Sequence, residues 1–520
     1  MRGMREALAL ALAPVLAPVL AFGGAAAAAA GPVTRAQVEA ALPRIEAMAR
    51  EIVASGGAPG LAIGVVHDDA VLWMAGFGRR QAGAPETVDP DTVFQLASMS
   101  KPLSATVVAA LVGQGLVDWD DRIADLDPDF ALHDPYPTAE VTVRDFFTHR
   151  SGLPGGAGND LEMIGYDRAT VMRRLRLVPP WVSFRGGYAY SNAGVTEGAL
   201  AAARPTGQNW ESVAAEALFG PAGMAASSFR YADFVARENR AALHVRFDGA
   251  WEPRATRDPT PQAPAGGATS SVRDLTRWMR LELAEGRLDG VELIPAAALD
   301  PTHAPLTARG TNPVTGAPAF YGLGWSVEYG RHGLAWGHAG AFSQGARTVV
   351  TLLPESDLGI VVLANAFPTG APEALSDSFF DLVFEGAPAQ DYLSAWNAAY
   401  EGLFGPALAE AKATYASPPD PATPALPPDA YAGAYANAYV GAARVEAAGD
   451  GGLTLILGPE GAKRFALRHF DRDLFVYFPD AELPDMPSAA QFVVGPQGRA
   501  LSLTLEPLDA NGLGTLARTD

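Results

Sequence analysis

The spacing of hydrophobic positions changes along the chain, and each change marks a different kind of element. Residues 33–55 carry apolar side chains at helical intervals, and Gly56 and Gly57 end that pattern. Two short apolar runs follow, Leu61–Val66 and Ala70–Phe77, joined at His67 and the two aspartates after it. The pattern therefore predicts one helix and then a β-hairpin.

From about residue 98 to residue 288 the pattern is mostly helical and rich in loops. Strand patterns then return and a helical pattern follows them: Gly322–Tyr329, Leu334–His338, Ala346–Leu353, Gly359–Ala364 and the helix Pro372–Phe384. Strands at both ends of a segment predict one antiparallel sheet built from both ends and flanked by helices. The predicted fold class is α+β, with the helical block as an inserted subdomain.

A second domain is predicted after a proline-rich stretch. Residues 416–428 form a stiff linker that ends the first domain, residues 31–415. Beyond it, short strand patterns separated by turn residues predict a small all-β barrel or sandwich over residues 429–520. This domain would cover a site, bind an apolar ligand, mediate oligomer assembly or serve only as a packing module.

The first thirty residues have the pattern of an export signal. Arg2 and Arg5 give a basic start, an apolar run follows, and small residues at Ala25–Ala30 precede Gly31. This order predicts a secretory signal peptide over residues 1–30 and an exported protein, periplasmic or secreted. Later apolar runs are too short to span a bilayer, so no stable membrane anchor is expected.

Composition narrows the classes of partner. A formal net charge of −20 argues against nucleic acid and anionic membranes, and leaves a small molecule or a peptide as the expected substrate. The chain has no cysteine, which excludes disulfides, a cysteine nucleophile and thiolate-held metals. The eight histidines form no zinc-binding spacing, so neither a metal nor a cofactor is predicted.

Candidate chemistry begins at Ser98, which is followed by Lys101 and then by a helical pattern. If Ser98 opens that helix, both side chains share one face and unpaired N–H groups lie beside the serine. Of 38 lysines and arginines only three are lysines, Lys101, Lys412 and Lys463. A desolvated lysine can lose its proton, whereas an arginine cannot, which favours a base over the alternative of a surface lysine near a capping serine.

Tyr190 and Asn192 stand two residues apart before a helix rich in alanine and glycine. A phenol or phenolate there would relay a proton, and the amide would hold a substrate carbonyl. Taken alone, the pair is explained as well by a buried aromatic residue and an asparagine that caps the helix.

A third pattern, His338-Ala339-Gly340-Ala341, lies on a predicted strand. Gly340 would let a substrate backbone approach an edge strand, and the N–H of Ala341 would join that of Ser98 as an oxyanion donor. His338 would orient the site or polarise the tyrosine. An isolated histidine is otherwise best explained as a satisfied core residue.

The order Ser-x-x-Lys, Tyr-x-Asn, His-x-Gly resembles that of the class C β-lactamase-related serine hydrolases, which include penicillin-binding-protein-like peptidases, family VIII esterases and class C β-lactamases. The resemblance covers about residues 33–388, and the block from Tyr431 to Gly441 resembles a lipocalin-like domain found in some members. It implies that Ser98 is the nucleophile, Lys101 the base and Tyr190 the proton shuttle. It also implies that Asn192 is the substrate-contacting amide and that His338 and Gly340 form the third motif.

The chain departs from class C β-lactamases in the third motif, where those enzymes usually have Lys-Thr-Gly. His338 is mostly neutral near pH 7, and Ala339 has no hydroxyl. The expected function is therefore an exported serine hydrolase that cleaves an ester or an amide through an acyl-enzyme on Ser98, with esterase or D-aminoacyl peptidase specificity favoured over β-lactamase. The alternative is a penicillin-binding or sensor-type protein of the same fold that does not turn over a substrate.

Ser343 is a rival nucleophile, because Ala341-Phe-Ser343-Gln-Gly345 approximates a G-x-S-x-G elbow. That elbow requires a strand, a sharp turn and a helix, whereas Ser343 lies between two predicted strands. The pattern therefore favours Ser98.

Overall fold

A computed structural model of the chain describes residues 33–449, 451–479 and 486–520. The predicted signal peptide, residues 1–30, lies outside the described residues. Within these ranges, no helix combines the length and the apolar character needed to cross a membrane.

The described chain begins with helix α1 (Arg35–Ala54), which Thr34 caps through a capping box with Gln37. The predicted hairpin follows as strands β1 (Gly60–His67) and β2 (Ala70–Gly78). Its two-residue turn holds two aspartates at positive φ, as expected for the turn type that matches the twist of a hairpin.

The block that follows is predominantly helical. Its helices are α2 (Ser100–Gly113), α3 (Ile123–Leu126), α4 (Pro135–Glu140), α5 (Val143–Phe147), α6 (Asn159–Met163), α7 (Arg168–Arg174), α8 (Asn192–Ala203), α9 (Trp210–Ala214), α10 (Tyr231–Ala236), α11 (Ala263–Gly266), α12 (Val272–Leu283) and α13 (Ala296–Leu299). Three short strand pairs interrupt it: β3 (Phe94–Gln95) with β6 (Thr269–Ser270), β4 (Val245–Phe247) with β5 (Ala250–Glu252), and β7 (Arg287–Leu288) with β8 (Val291–Glu292).

The remaining strands of the main sheet come after this block and two helices complete the domain: β9 (Thr307–Thr311), β10 (Pro318–Tyr321), β11 (Ser326–Gly330), β12 (Gly333–Phe342), β13 (Ala346–Leu353), β14 (Leu358–Ala364), α14 (Ala371–Glu385) and α15 (Tyr392–Thr414). The sheet is antiparallel in the order β2-β1-β14-β13-β12-β11-β10-β9. Strands from the two ends of the domain pair directly, with Leu61 opposite Ala364. The predicted α+β fold is confirmed.

Both faces of the sheet are covered, which explains why β1 is apolar from Leu61 to Val66. Leu61, Ile63 and Val65 pack with α1 and α14 on one face, whereas Ala62 and Val66 belong to the core shared with the helical block. Every residue of β1 is buried. The site described below lies where the helical block meets the edge of β12.

The second domain is a closed eight-stranded barrel formed by β15 (Gly433–Asn437), β16 (Gly441–Ala447), β17 (Leu453–Leu457), β18 (Lys463–Asp471), β19 (Leu474–Tyr477), β20 (Ser488–Val494), β21 (Ala500–Leu505) and β22 (Thr515–Arg518). Aromatic rings fill its interior: the Phe492 ring lies 4.9 Å from that of Tyr431, 5.7 Å from Phe475 and 6.0 Å from Tyr435. This aromatic packing gives the small domain a core of its own.

The turn between β15 and β16 docks the barrel onto the helical block. The Tyr439 hydroxyl donates a hydrogen bond to Asp160 at 2.5 Å and accepts one from the Gly158 N–H at 3.3 Å. Arg174 donates to the Tyr439 carbonyl oxygen at 2.7 Å. Because Asn159 lies between Gly158 and Asp160, the barrel holds the segment that reaches Asn192.

Candidate active site

Ser98 lies in a tight 3₁₀ turn, Ala97–Met99, and α2 begins two residues later at Ser100. Ala97 has a φ of +48°, an uncommon value for a residue with a β-carbon that points to strain at the turn. The Ser100 hydroxyl donates to the Ala97 carbonyl oxygen at 2.6 Å and so holds the turn. Ser98 is half-buried, whereas its two neighbours are buried, so the turn exposes the hydroxyl of Ser98.

The amine of Lys101 is fully buried beside that hydroxyl. Its Nζ lies 3.0 Å from Ser98 Oγ, 2.7 Å from Asn192 Oδ1 and 2.9 Å from the Ala265 carbonyl oxygen. Burial lowers the pKa of Lys101 well below its ordinary value, because the charged form loses its hydration. A neutral amine has two N–H groups, which match Asn192 and Ala265, and one lone pair, which then faces Ser98.

Tyr190 stands over the same amine, with its ring centroid 4.5 Å from Lys101 Nζ. Burial raises the pKa of Tyr190 well above its ordinary value, and a hydrogen bond with Ser98 offsets only part of this shift. Of the two forms left open by the sequence, the structure therefore favours the phenol. A lysine that takes up a proton there would gain a favourable contact with the aromatic face.

His149, for which the sequence predicted no role, fixes the Tyr190 ring. The two ring centroids are 4.4 Å apart, and His149 Nδ1 accepts a hydrogen bond from the Ser191 N–H at 3.0 Å. Burial, together with the nearby Lys101, lowers the pKa of His149 well below its ordinary value, so the ring is neutral. His149 thus supports the tyrosine by packing and hydrogen bonding.

Asn192 does not cap its helix, so the capping alternative is wrong. Ser191 is the N-cap of α8, and its hydroxyl accepts a hydrogen bond from the Gly194 N–H at 3.1 Å. Asn192 directs Oδ1 to Lys101 and Nδ2 to Asn159 Oδ1, 3.5 Å away. The amide therefore ties the amine of Lys101 to the segment held by the barrel.

His338 is a buried and satisfied histidine that faces the site. Its Nδ1 lies 2.7 Å from the Ala339 carbonyl oxygen and its Nε2 lies 2.8 Å from the Tyr321 hydroxyl. Because a carbonyl only accepts, Nδ1 carries the proton and Nε2 accepts from Tyr321. Burial lowers the pKa of His338 well below its ordinary value. His338 therefore polarises the hydroxyl of Tyr321. The ring centroid of His338 lies 6.4 Å from that of Tyr190.

Gly340 allows the close approach of the protein's own chain. The sequence had instead predicted the approach of a substrate backbone to an edge strand. Strand β12 is an interior strand, and a β-carbon at Gly340 would overlap the Leu96 carbonyl oxygen and the Thr348 hydroxyl and would lie 3.1 Å from the Met99 nitrogen. The missing side chain therefore allows the turn that carries Ser98 to pack against β12.

An open edge nevertheless exists beside the site, because the pairing of β12 with β11 ends at Gly337. Gly330 and Gly333 close a two-residue hairpin, so Gly333 and every second residue after it direct their N–H groups toward β11. Ala341 belongs to this series and lies beyond the last pair. Its N–H therefore points to the unpaired edge, as an oxyanion donor requires.

Gly340→Ala is expected to lower the free energy of unfolding by about 1–3 kcal/mol and to reduce activity sharply, because the added methyl group displaces the Ser98 turn. Thermal unfolding and hydrolysis of an activated ester measure the two effects. Gly402→Ala in α15 is the matched control, since a β-carbon added there would meet nothing within 4 Å. Wild-type activity in Gly340→Ala would contradict the assigned packing.

Ser343 lies in the turn between β12 and β13, so the chain enters a strand after it rather than a helix. The strand–turn–helix setting of a nucleophile elbow is absent at this position. The structure agrees with the preference for Ser98.

Four groups around the site were not assigned from the sequence: His149, Ala265, Tyr321 and Arg309. The contacts of the first three join parts of the chain that are separated in sequence. The Arg309 guanidinium lies 5.4 Å from the Tyr321 ring centroid and donates a hydrogen bond to Ser326. It places a permanent positive charge beside the aromatic residues of the site.

Comparisons with known proteins agree with this geometry. The family model described as Beta-lactamase matches residues 45–379, and a domain of unknown function, DUF3471, matches residues 417–514. Unguisins hydrolase ungD of Aspergillus violaceofuscus is 27% identical over 89% of this chain and 87% of its own. The D-alanyl-D-alanine-carboxypeptidase/endopeptidase AmpH of Escherichia coli K12 is 24% identical over 69% of this chain and 92% of its own.

A solved structure shows the same fold at low identity. The octameric penicillin-binding protein homologue from Pyrococcus abyssi superposes with a TM-score of 0.56 and 18% identity, over 92% of this chain and all of that one. The Beta-lactamase family model spans well over half of the 520 residues. The chain therefore belongs to the beta-lactamase family and is a serine hydrolase of that family.

Proposed function

We propose that the protein is an exported hydrolase that cleaves an ester or an amide through an acyl-enzyme on Ser98, with esterase or D-aminoacyl peptidase specificity favoured over β-lactamase. The observation that carries this proposal is the fully buried Lys101 amine, 3.0 Å from the Ser98 hydroxyl, with its pKa lowered by burial. Its export rests on the pattern of residues 1–30.

In the acylation step Lys101 accepts the hydroxyl proton of Ser98 as Oγ attacks the substrate carbonyl carbon. The negative charge then develops on the carbonyl oxygen, between the N–H groups of Ser98 and Ala341. Asn192 and Ala265 hold the amine in place, and the Tyr190 ring face stabilises the new ammonium.

Collapse of this intermediate breaks the bond to the leaving group, which takes a proton from Tyr190 or Lys101. The raised pKa of Tyr190 suits a phenol that donates a proton and regains one from Lys101. Water then attacks the acyl-enzyme, the same groups accept its proton, and Ser98 regains its hydroxyl.

The preference against β-lactams follows from the third motif. His338 is neutral, gives its one N–H to Ala339 and accepts at its other nitrogen, so it offers no positive charge to a substrate carboxylate. Ala339 offers no hydroxyl in the adjacent position. The name of one relative, a D-alanyl-D-alanine-carboxypeptidase/endopeptidase, also favours a peptide substrate.

A panel of three substrates tests the proposed specificity. We expect measurable turnover of a short-chain nitrophenyl ester or of a D-aminoacyl anilide, and kcat/KM for a chromogenic cephalosporin at least about tenfold lower. A strongly preferred cephalosporin would contradict the proposal. Stoichiometric labelling without repeated turnover would instead support the penicillin-binding or sensor-type alternative.

A further inference from the structure

The barrel contacts the helical block at the start of α6, where a short stretch of chain leads toward the candidate active site. The Tyr439 hydroxyl donates a hydrogen bond to Asp160 Oδ1 at 2.5 Å and accepts one from the Gly158 N–H at 3.3 Å. Asn159 lies between these two residues. One hydroxyl of the barrel therefore holds the 158–160 segment on both sides of its central residue.

The Asn159 side chain connects this segment to two partners of Lys101. Its Oδ1 accepts a hydrogen bond from Gln262 Nε2 at 3.0 Å and lies 3.5 Å from Asn192 Nδ2, so the contact with Gln262 is the stronger one. Gln262 immediately precedes α11, whose Ala265 carbonyl oxygen accepts from Lys101 at 2.9 Å. Asn192 Oδ1 accepts from the same amine at 2.7 Å. A single amide oxygen thus supports both of these acceptors.

The position of Tyr439 is itself fixed by the turn that carries it. Arg174 donates to the Tyr439 carbonyl oxygen at 2.7 Å, and the Tyr166 hydroxyl donates to the Val440 carbonyl oxygen at 3.0 Å. Gly441 has a φ of +86°, and a β-carbon there would lie 2.3 Å from the Tyr166 hydroxyl. Between the end of α6 and the barrel lies a cavity of only about 10 Å³. The turn has little room to move, so Tyr439 transmits the position of the barrel to the 158–160 segment.

The Lys101 amine depends on the placement of its two acceptors. The titratable side chains around it are Tyr190, His149 and His338. All three are neutral, because burial raises the pKa of the tyrosine and lowers the pKa of both histidines. Desolvation therefore lowers the pKa of Lys101 and keeps the amine neutral. This desolvation lasts only while the two acceptors stay in place and exclude water.

We propose that Tyr439 of the barrel is a positioning residue for Lys101. Its hydroxyl fixes the 158–160 segment, and that segment fixes the two acceptors that hold the amine. With both of its N–H groups occupied, the neutral amine directs its lone pair to Ser98 Oγ, as proton transfer requires. The proposal rests on the function proposed for Ser98. The barrel thereby contributes to a reaction carried out in the other domain without contacting the substrate.

Tyr439→Phe tests this role, because it removes the hydroxyl and keeps the ring. We expect kcat for an activated ester to fall by about tenfold and KM to change by less than about twofold, since Tyr439 acts through other residues. We also expect the rise of activity with pH to move to higher pH, because water that reaches the amine returns the pKa of Lys101 toward its ordinary value. A residue that only stabilised the fold would change neither kcat nor the pH profile of the folded protein.

Tyr415→Phe is the matched control. The Tyr415 hydroxyl donates to Glu506 of the barrel at 3.0 Å, so this variant also removes a hydrogen bond from a phenol to a carboxylate. Tyr415 packs with Phe470 and Val476 of the barrel, in a cluster separate from the 158–160 segment. We expect wild-type kcat and pH profile, and thermal unfolding measures the stability of both variants. Equal changes in Tyr415→Phe and Tyr439→Phe would overturn the proposal, because they would arise from barrel docking in general.

Asn159→Ala tests the route from the barrel to the amine. It is expected to lower kcat at least as much as Tyr439→Phe, and the double variant is expected to be no worse than Asn159→Ala alone. Additive losses, or wild-type kcat and pH profile in Tyr439→Phe, would overturn the proposal. If Tyr439→Phe fails to fold, Asp160→Asn weakens the same hydrogen bond by removing the charge of its acceptor. Wild-type kcat and pH profile in that variant would then overturn the proposal.

Activity of Ser98→Ala, measured beside these variants, separates the proposal from the one on which it rests. If Ser98→Ala is inactive and Tyr439→Phe behaves as wild type, the positioning role fails and the Ser98 function holds. If Ser98→Ala keeps wild-type activity, the function proposed for Ser98 fails, whatever the effect of Tyr439→Phe.

Discussion

Lys101→Arg is expected to lower kcat/KM for an activated ester by about 10³-fold or more. The guanidinium keeps its positive charge but cannot accept the Ser98 proton, and general-base catalysis contributes about 10²–10⁴-fold. The larger side chain also has to enter a fully buried position with three fixed partners. Stopped-flow or steady-state kinetics at several pH values measures the loss.

The pH profile distinguishes a base from a structural lysine. Because burial lowers the pKa of Lys101, the activity of the wild-type enzyme should rise with pH through a point well below the ordinary lysine pKa, as the amine loses its proton. This rise in activity with pH should be absent in Lys101→Arg. Arg50→Lys, on α1, is a control for the exchange itself. Activity within about threefold of wild type in Lys101→Arg would show that Lys101 is not the base.

Ser98→Ala is expected to have the largest effect on turnover, because it removes the atom that forms the acyl bond. The loss should equal or exceed that of Lys101→Arg, and the double variant should be no worse than Ser98→Ala, since the two residues act as one unit. Stability should change little, because the half-buried hydroxyl is a small part of the turn. Additive losses in the double variant would contradict a shared catalytic role.

Elements that have a regular hydrophobic pattern, or that are stabilised by local contacts, could be predicted from the sequence. The predicted hairpin strands, Leu61–Val66 and Ala70–Phe77, and β14 have uninterrupted apolar patterns, and the pairing of β1 with β14 follows from strands at both ends of the domain. Strand β9 was missed because Arg309 and Gly310 break its apolar pattern. Strand β22, Thr515–Arg518, was missed because only closure of the barrel makes it a strand.

Helix α15 was missed for a different reason, since its sequence contains Gly402, Gly405 and Pro406, which disfavour a helix. Trp396 and Tyr400 are buried in a cluster beside α14 and stabilise it through tertiary packing. That packing depends on residues far apart in the sequence, so no local pattern reveals it.

At the site, the sequence identified Ser98, Lys101, Tyr190 and Asn192, and the structure brings all four together, although their catalytic roles stay predictions. The role of Gly340 could not be read from the sequence, because it depends on the contact between β12 and the backbone of Leu96. Likewise, the Ala265 carbonyl is one of three partners of Lys101 and carries no side-chain signal.

The nucleophile itself is tested most directly by peptide mapping after labelling with a fluorophosphonate. Full-length protein is treated with the probe, digested and analysed by mass spectrometry, with Ser98→Ala and Ser343→Ala treated in parallel. We expect one adduct, on the peptide that contains Ser98, in wild type and in Ser343→Ala, and no adduct in Ser98→Ala. An adduct on Ser343, or full labelling of Ser98→Ala, would contradict the assignment of Ser98 as the nucleophile.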